Sequence, residues 1–305
     1  MTTKTVKVDY LARVEGEGAL YLDISKGRVK DVQLKIFEPP RFFEALMRGR
    51  DFTEAPDITS RICGICPVAY QMSAARAMED ALDITVPPSV RALRRLVYCG
   101  EWIESHVLHM VMLHAPDFLG YDDAVSMAKD HGEQVRRGLR LKKAGNDIVN
   151  LLGGREIHPI NLKVGGFYSL PDKKRFYRLQ DTLEKALAEA ETLVRWLATF
   201  TFPDQQRDYE FVSLSHPDEY LITQGAIVSG RGLNIPVRQF NQVFEEQHVP
   251  YTNALHCVLK ERGAYCVGPM ARFNLNFDKL PVRLQQLSHD IGLGDQCLNP
   301  YKSLL

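Results

Sequence analysis

Arg61-Ile62-Cys63-Gly64-Ile65-Cys66-Pro67 places two thiols three residues apart in a turn, immediately ahead of a helical pattern. Gly64 relieves the backbone between them, so both sulfurs can face one small object. Pro67 suits the first position of a helix, where a missing N–H costs nothing. Thiols in that position sit near a helix N-terminus, and Arg61 adds positive charge. Both effects favour the thiolate, the form that binds metals. A Cys-x-x-Cys alone fits half a zinc site, a redox dithiol, a cluster-ligand pair or two ordinary buried cysteines, so its flanks must decide.

Composition narrows the classes. The 305 residues carry 38 Lys and Arg against 38 Asp and Glu, a balance that gives no support for nucleic acid or an anionic membrane as partner. A chain of this size buries roughly three quarters of its unfolded surface, so a sizeable core is available. No apolar run approaches a membrane span. Met1 to Tyr10 alternates lysines with valines and threonine and lacks an apolar signal core, so export on its own signal is not expected. The six cysteines, at 63, 66, 99, 257, 266 and 297, are too sparse for a disulfide framework and fit a reducing, cytoplasmic setting. The four isolated ones read as small core residues.

Ahead of the turn, alternation predicts strands at 5–10, 19–24 and 29–36, the last two a hairpin about Lys26-Gly27. Between them lies Arg13-Val14-Glu15-Gly16-Glu17-Gly18, where two glycines let the backbone turn and composition favours solvated glutamates. Pro39-Pro40 ends the strands. Residues 41–48 form a short helix stopped by Gly49, with Glu44 read as an exposed charge.

Behind the turn, helices are expected at 68–82 and 89–114, the second capped by Ser89 and stopped by Ala115-Pro116. Charges crowd its first half, so it is expected to start at the surface and end in the interior. His106 and His109 share one face there and read as hydrogen-bonded interior histidines rather than metal ligands, since no third ligand is adjacent. Another helix is expected at 125–152. The glycine pairs Gly153-Gly154 and Gly165-Gly166 then bracket an ordered loop packed on other backbone. Residues 172–200 give an amphipathic helix with Phe176, Leu179, Leu183, Leu187, Ala190, Val194 and Leu197 as its stripe. The remainder reads as irregular and β-rich, with strands at 210–214, 225–228 and 254–260 and helices at 237–246 and 282–291. The expected fold class is α+β, an N-terminal antiparallel sheet packed on a bundle of long helices, with an irregular β-containing segment. The chain divides at 1–60, 61–200 and 201–305 within one structural unit.

Taken together, several motifs resemble the large subunit of nickel–iron hydrogenases from Arg13 to about Asn276. They are Arg13-Val14-Glu15-Gly16, Arg41-Phe42-Phe43-Glu44 with Gly49-Arg50, the cysteine turn, Glu104-Ser105-His106-Val107-Leu108-His109, Gly153-Gly154-Arg155 with His158-Pro159, and Val267-Gly268-Pro269-Met270-Ala271-Arg272. Each is weak alone; their shared order and separations are specific.

The resemblance implies Cys63 as a terminal nickel thiolate and Cys66 as a thiolate bridging nickel and iron, whose iron also carries diatomic ligands. It implies Glu15 as the carboxylate that takes a proton from a nickel-bound sulfur during heterolytic cleavage of H2, tuned by partial burial. Glu44 matches the carboxylate of a buried magnesium site. Implied partners are a small subunit carrying the iron–sulfur clusters and a nicotinamide- or flavin-binding reductase module. Tyr98 to His106 and Arg61 to Gln71 look most like the cytoplasmic, cofactor-coupled group.

Two departures stand out. Tyr70 occupies a place where many members have histidine. The second Cys-x-x-Cys that members carry near their C-terminus, with a magnesium-ligating histidine, is absent, and Cys297 stands alone. The chain therefore reads as the N-terminal two-thirds of such a subunit and, by itself, as inactive. The competing reading is a non-catalytic scaffold or assembly subunit of a hydrogenase-like or quinone-reductase-like complex. A thioredoxin-like dithiol lacks its βαβ setting, and a structural zinc lacks a second ligand pair.

Overall fold

The structure, a computed structural model, describes residues 3–38 and 41–305. Pro39-Pro40, expected to end the strand region, lies outside them. In chain order come β1 (Thr3–Val8), β2 (Gly18–Ser25), β3 (Arg28–Ile36), α1 (Arg41–Met47), α2 (Ala55–Thr59), α3 (Pro67–Ala81) and α4 (Pro88–Val107). A π-helix (Leu108–His114) leads into α5 (Ala115–Leu119), α6 (Ala124–Gly153), the two-residue strands β4 (Leu162–Lys163) and β5 (Gly166–Phe167), and α7 (Lys173–Leu197). Then follow β6 (Val212–Ser215), β7 (Ala226–Ser229), β8 (Asn234–Ile235), α8 (Phe240–Val243), β9 (Phe244–His248), β10 (Leu255–Leu259), α9 (Pro269–Asn276) and α10 (Val282–Asp290).

The chain groups into two compact units. The sheet unit takes Met1–Leu46, Tyr209–Pro217 and Gly225–Leu275; the helical unit takes Met47–Asp208, Asp218–Gln224 and Asn276–Leu305.

In the sheet unit, β1, β2 and β3 form an antiparallel sheet in that order. The β2–β3 turn is Lys26-Gly27, both with positive φ (53° and 72°), as a tight hairpin requires. Thr252 and Asn253 donate to and accept from the end of β3 at Ile36, which ties the later β segment to this sheet. That segment holds a β6-β7-β8 sheet and a β9–β10 hairpin around Val212, Ile227, Leu233, Phe244 and Leu259. The helix expected over 237–246 is a 3-10 turn (Val237–Gln239) running into α8 and ending at Val243. From Phe244 the chain pairs with β10 instead, because strand pairing buries Phe244 against Leu259, its register partner.

In the helical unit, α4 and α6 cross at glycine. A Cβ on Gly145 would lie 2.6 Å from Gly100 O and 2.7 Å from Glu104 N, and one on Gly100 would lie 2.9 Å from Ile148 Cβ. Two cores flank the crossing. One joins Val68, Met72, Val97, Ile148, Val149, Leu152, Leu162 and Leu179. The other joins Val107, Val111, Ala115, Met127, Leu141, Leu193, Leu197 and Phe200.

Four expectations about the helices need revision here. First, α4 starts at Pro88 with Pro87 as its N-cap, not Ser89, because proline's fixed φ suits the first helical position. Second, Ala115-Pro116 does not stop the chain: the π-helix resets the hydrogen-bond ladder, and Pro116 sits at the start of α5, where its missing N–H costs nothing. Third, the charged first half of α4 is not a surface half, since Arg94, Glu101 and Glu104 are all buried. Leu187 also leaves the α7 stripe and is 52% exposed.

Candidate metal site

The cysteine turn lies in the helical unit. A 3-10 turn (Ser60–Ile62) delivers the chain to Cys63 in an extended conformation, and Cys66 occupies the N-cap of α3 with Pro67 at the first helical position. The chain folds back so that Ile65 N and Cys66 N both donate to Cys63 Sγ, at 3.4 and 3.2 Å. Amides aimed at a sulfur suit a donor that carries negative charge. Both cysteines are half-buried. Gly64 is not needed for backbone freedom. Its φ lies outside the left-handed region, and a Cβ would meet only Ile157 Cγ2, at an ordinary 3.8 Å.

The turn is braced on two sides. The loop after α6 reaches back: His158 Nδ1 pairs with Ser60 O at 2.7 Å, and Gln71 Nε2 donates to Pro159 O at 2.9 Å. This is the ordered, glycine-bracketed loop the sequence predicts, with Gly154 and Gly165 at φ 84° and 80°. From α4, the Glu101 carboxylate accepts Val68 N at 2.6 Å and Ala69 N at 3.1 Å, the first free amides of α3. Burial pushes the Glu101 carboxyl up to about 7, against the pull of those two amides, and Glu104 adds like-charge repulsion. Glu104 in turn holds Lys142 at 3.0 Å.

The other candidates fall as follows. Arg61 pairs with Asp57 at 3.2 Å, so its charge is shared rather than given wholly to the thiols. Tyr70 is partly exposed and accepts Thr59 Oγ1 at its carbonyl. Glu15 sits in the β1–β2 loop of the sheet unit and is exposed rather than partly buried. Glu44, on α1 of that unit, is exposed and paired with Arg41 at 3.4 Å; this is the solvated carboxylate expected from composition rather than a buried one. His106 and His109 do not pair. His106 stacks on Trp102 with ring centroids 5.9 Å apart, and the exposed His109 lies 4.1 Å from His114 across the π-helix. Desolvation, then His114, lowers the basicity of His109. The structure thus places Cys66 N against Cys63 Sγ. Among the described residues, no group of three or more His, Cys, Asp or Glu is arranged to hold a metal ion.

Two soft donors in one turn fit half the donor set of a thiolate-held metal pair. The comparisons agree with that chemistry. A family profile described as "Nickel-dependent hydrogenase" matches residues 41–139. Sulfhydrogenase 2 subunit alpha of Pyrococcus furiosus is 39% identical over 280 residues, covering 90% of this chain and 64% of that protein. Sulfhydrogenase 1 subunit alpha of the same organism is 32% identical over 92% of this chain and 66% of its own length. The chain belongs to the nickel-dependent hydrogenase large-subunit family. Its fold is that of the family: an NAD+-reducing [NiFe]-hydrogenase in the H2-reduced state superposes with a TM-score of 0.83 at 26% identity, over 94% of this chain and 69% of that one. The chain spans about two thirds of the length of these curated relatives, 64% and 66%. Among the described residues no helix is long and apolar enough to cross a membrane.

Glu101 is the residue that reading the sequence for motifs passes over. The signal is present, however. Arg94, Val97, Glu101, Glu104 and Val107 recur at helical spacing and are all buried, so three charges interrupt what is otherwise a core stripe. Charges on a buried stripe must have partners.

Proposed function

We propose that this chain contributes Cys63 and Cys66 as two thiolate ligands of a nickel–iron centre in the catalytic subunit of a hydrogenase. The observation that carries the reading is the folded turn, in which Cys63 Sγ receives two amides while Cys66 occupies the N-cap position of the adjoining helix. When bound, such a centre supplies the site at which H2 is cleaved heterolytically. The residues of this chain supply soft donors and a base. Cys63 and Cys66 would hold the metals through sulfur, and Glu15, beside Gly16, would take up the proton released at a thiolate. Glu44 would supply an oxygen ligand for magnesium. Diatomic ligands on iron complete the cofactor.

Electrons leave through iron–sulfur clusters in a partner small subunit, coupled to a nicotinamide- or flavin-binding reductase module, in the cytoplasm. The neutral charge balance supports soluble partners rather than nucleic acid or an anionic membrane surface. The 305 residues contain one Cys-x-x-Cys, half the thiolates the resemblance implies, so assayed alone the chain does not turn over H2. The second reading is a non-catalytic scaffold. Dye-linked H2 uptake separates them. Activity in the assembled complex that disappears with Cys63→Ser supports the catalytic reading. An assembled complex indifferent to that substitution supports the scaffold.

A further inference from the structure

We propose that Glu101 is the positioning residue of the cysteine turn, a carboxyl lent by α4 that caps α3 and ties closure of the turn to one proton. The inference rests on the metal-ligand reading of Cys63 and Cys66 for its functional meaning, though not for its test.

Helix α3 has no cap of its own. Cys66 stands at the N-cap and makes no side-chain cap bond, while Pro67 has no N–H to offer. The first amides in need of acceptors are therefore those of Val68 and Ala69, and both go to Glu101. Cys66 is joined to that first helical turn through Pro67 alone, and Cys66 N is one of the two donors to Cys63 Sγ. Movement of the start of α3 therefore shifts Cys66 and the amide it offers to Cys63 Sγ.

Glu101 itself is fixed. It is 3% exposed, and its neighbours Gly100 and Glu104 form the close crossing with Gly145 and Ile148 of α6. The titratable groups around it are Glu104 and Tyr98 on its own helix and Lys142 on α6, which is held by Glu104. From α3 it meets the backbone amides of Val68 and Ala69.

The proton link follows from burial. Opening the start of α3 lets water reach Glu101 and returns its carboxyl to the ordinary range near 4.5, whereas in the closed turn it sits near 7. Closure therefore takes up a proton between those values, and opening becomes easier as pH rises through that window, then levels off. A neutral carboxyl still accepts Val68 N–H at its carbonyl oxygen.

The test uses the full chain and needs no metal. Amide hydrogen exchange at Val68 and Ala69, corrected for intrinsic rates, is followed from pH 5 to 8.5 together with peptide-resolved alkylation of Cys63 and Cys66. Glu101→Ala is expected to lose protection at both amides by about tenfold or more and to speed alkylation of Cys66. Glu101→Gln, whose one carbonyl oxygen still accepts while its NH2 group cannot, is expected to recover protection at one of the two amides and to lose the pH slope. In the wild type, protection at the two amides falls as pH rises to about 7. Wild-type protection in Glu101→Ala overturns the proposal, and so does a flat wild-type profile. Should Glu101→Ala not fold, the wild-type profile against Glu101→Gln decides. Failure here leaves the metal assignment standing, and a failed metal assignment leaves these exchange results unchanged.

Discussion

Replacing Gly145 by alanine tests the helix crossing on which the cysteine turn depends. The added methyl carbon would sit 2.6 Å from Gly100 O, 2.7 Å from Glu104 N and 3.0 Å from Glu104 Cβ. Two of those three atoms are backbone of α4, so relief requires moving the helix rather than rotating a side chain. Over-packing of this kind costs about 1–3 kcal/mol. Against it, alanine gains about 1 kcal/mol over glycine in a helix interior. The lower end of that range would leave the variant neutral, but rigid backbone contacts on two sides place it at the upper end. The expected net destabilisation is about 1–2 kcal/mol. Gly132→Ala is the internal control on the same helix: its Cβ would meet only Arg136 Nη1, at 3.4 Å, the far end of a flexible side chain. That variant is expected to be neutral or stabilised by up to about 1 kcal/mol. Urea unfolding followed by far-ultraviolet circular dichroism measures both. Equal stability of Gly145→Ala and Gly132→Ala would refute the close crossing and, with it, the fixed placement of Glu101.

Glu101 should also appear in global stability. Its folded carboxyl sits near 7 against an ordinary 4.5, so folding favours the protonated form. The stability it contributes is present below about pH 4.5 and is lost as pH rises through about 7, by about 3 kcal/mol in all. The stability of wild type relative to Glu101→Gln therefore declines over that window, and a flat or rising difference in urea titrations contradicts it. Glu79 and Arg94 form a buried pair, at 2.6 and 3.0 Å, with side chains 2% and 4% exposed. Glu79→Gln is expected to cost about 3–5 kcal/mol by leaving the guanidinium unpaired, measured by the same unfolding curves. Asp172 caps α7 by accepting Arg175 N at 3.0 Å, so Asp172→Ala is expected to cost about 1 kcal/mol. Thermal unfolding would register that loss, and no shift would show that the cap contributes nothing.

Much of the scaffold was legible because its elements rest on local rules. The β2–β3 hairpin follows from alternation around Lys26-Gly27, and α3 and α7 follow from Pro67 and from a helical stripe begun at Asp172. The two cysteines were legible for the same reason, since a turn followed by proline needs no distant partner. What escaped depends on contacts distant in sequence. Phe244–His248 becomes a strand because β10 is there to pair with it. The π-helix at Leu108–His114 changes which histidines meet, so a face drawn at 3.6 residues per turn pairs the wrong two. Glu101 looked like one more surface charge until α3 supplied its two amides, 33 and 32 positions away. Glu15 and Glu44 stand out by resemblance alone. Each is exposed, and only the resemblance gives it a chemical role.

The central claim is that Cys63 and Cys66 hold metal. Nickel and iron content of the purified complex containing this chain, with sulfur coordination read from the nickel X-ray absorption edge, tests it most directly. Cys63→Ser and Cys66→Ser are each expected to lose nickel or its sulfur signature, while Cys297→Ser, at a buried cysteine whose Sγ donates to Asn299 O, retains both. Wild-type metal content and sulfur coordination in Cys63→Ser and Cys66→Ser would contradict the account.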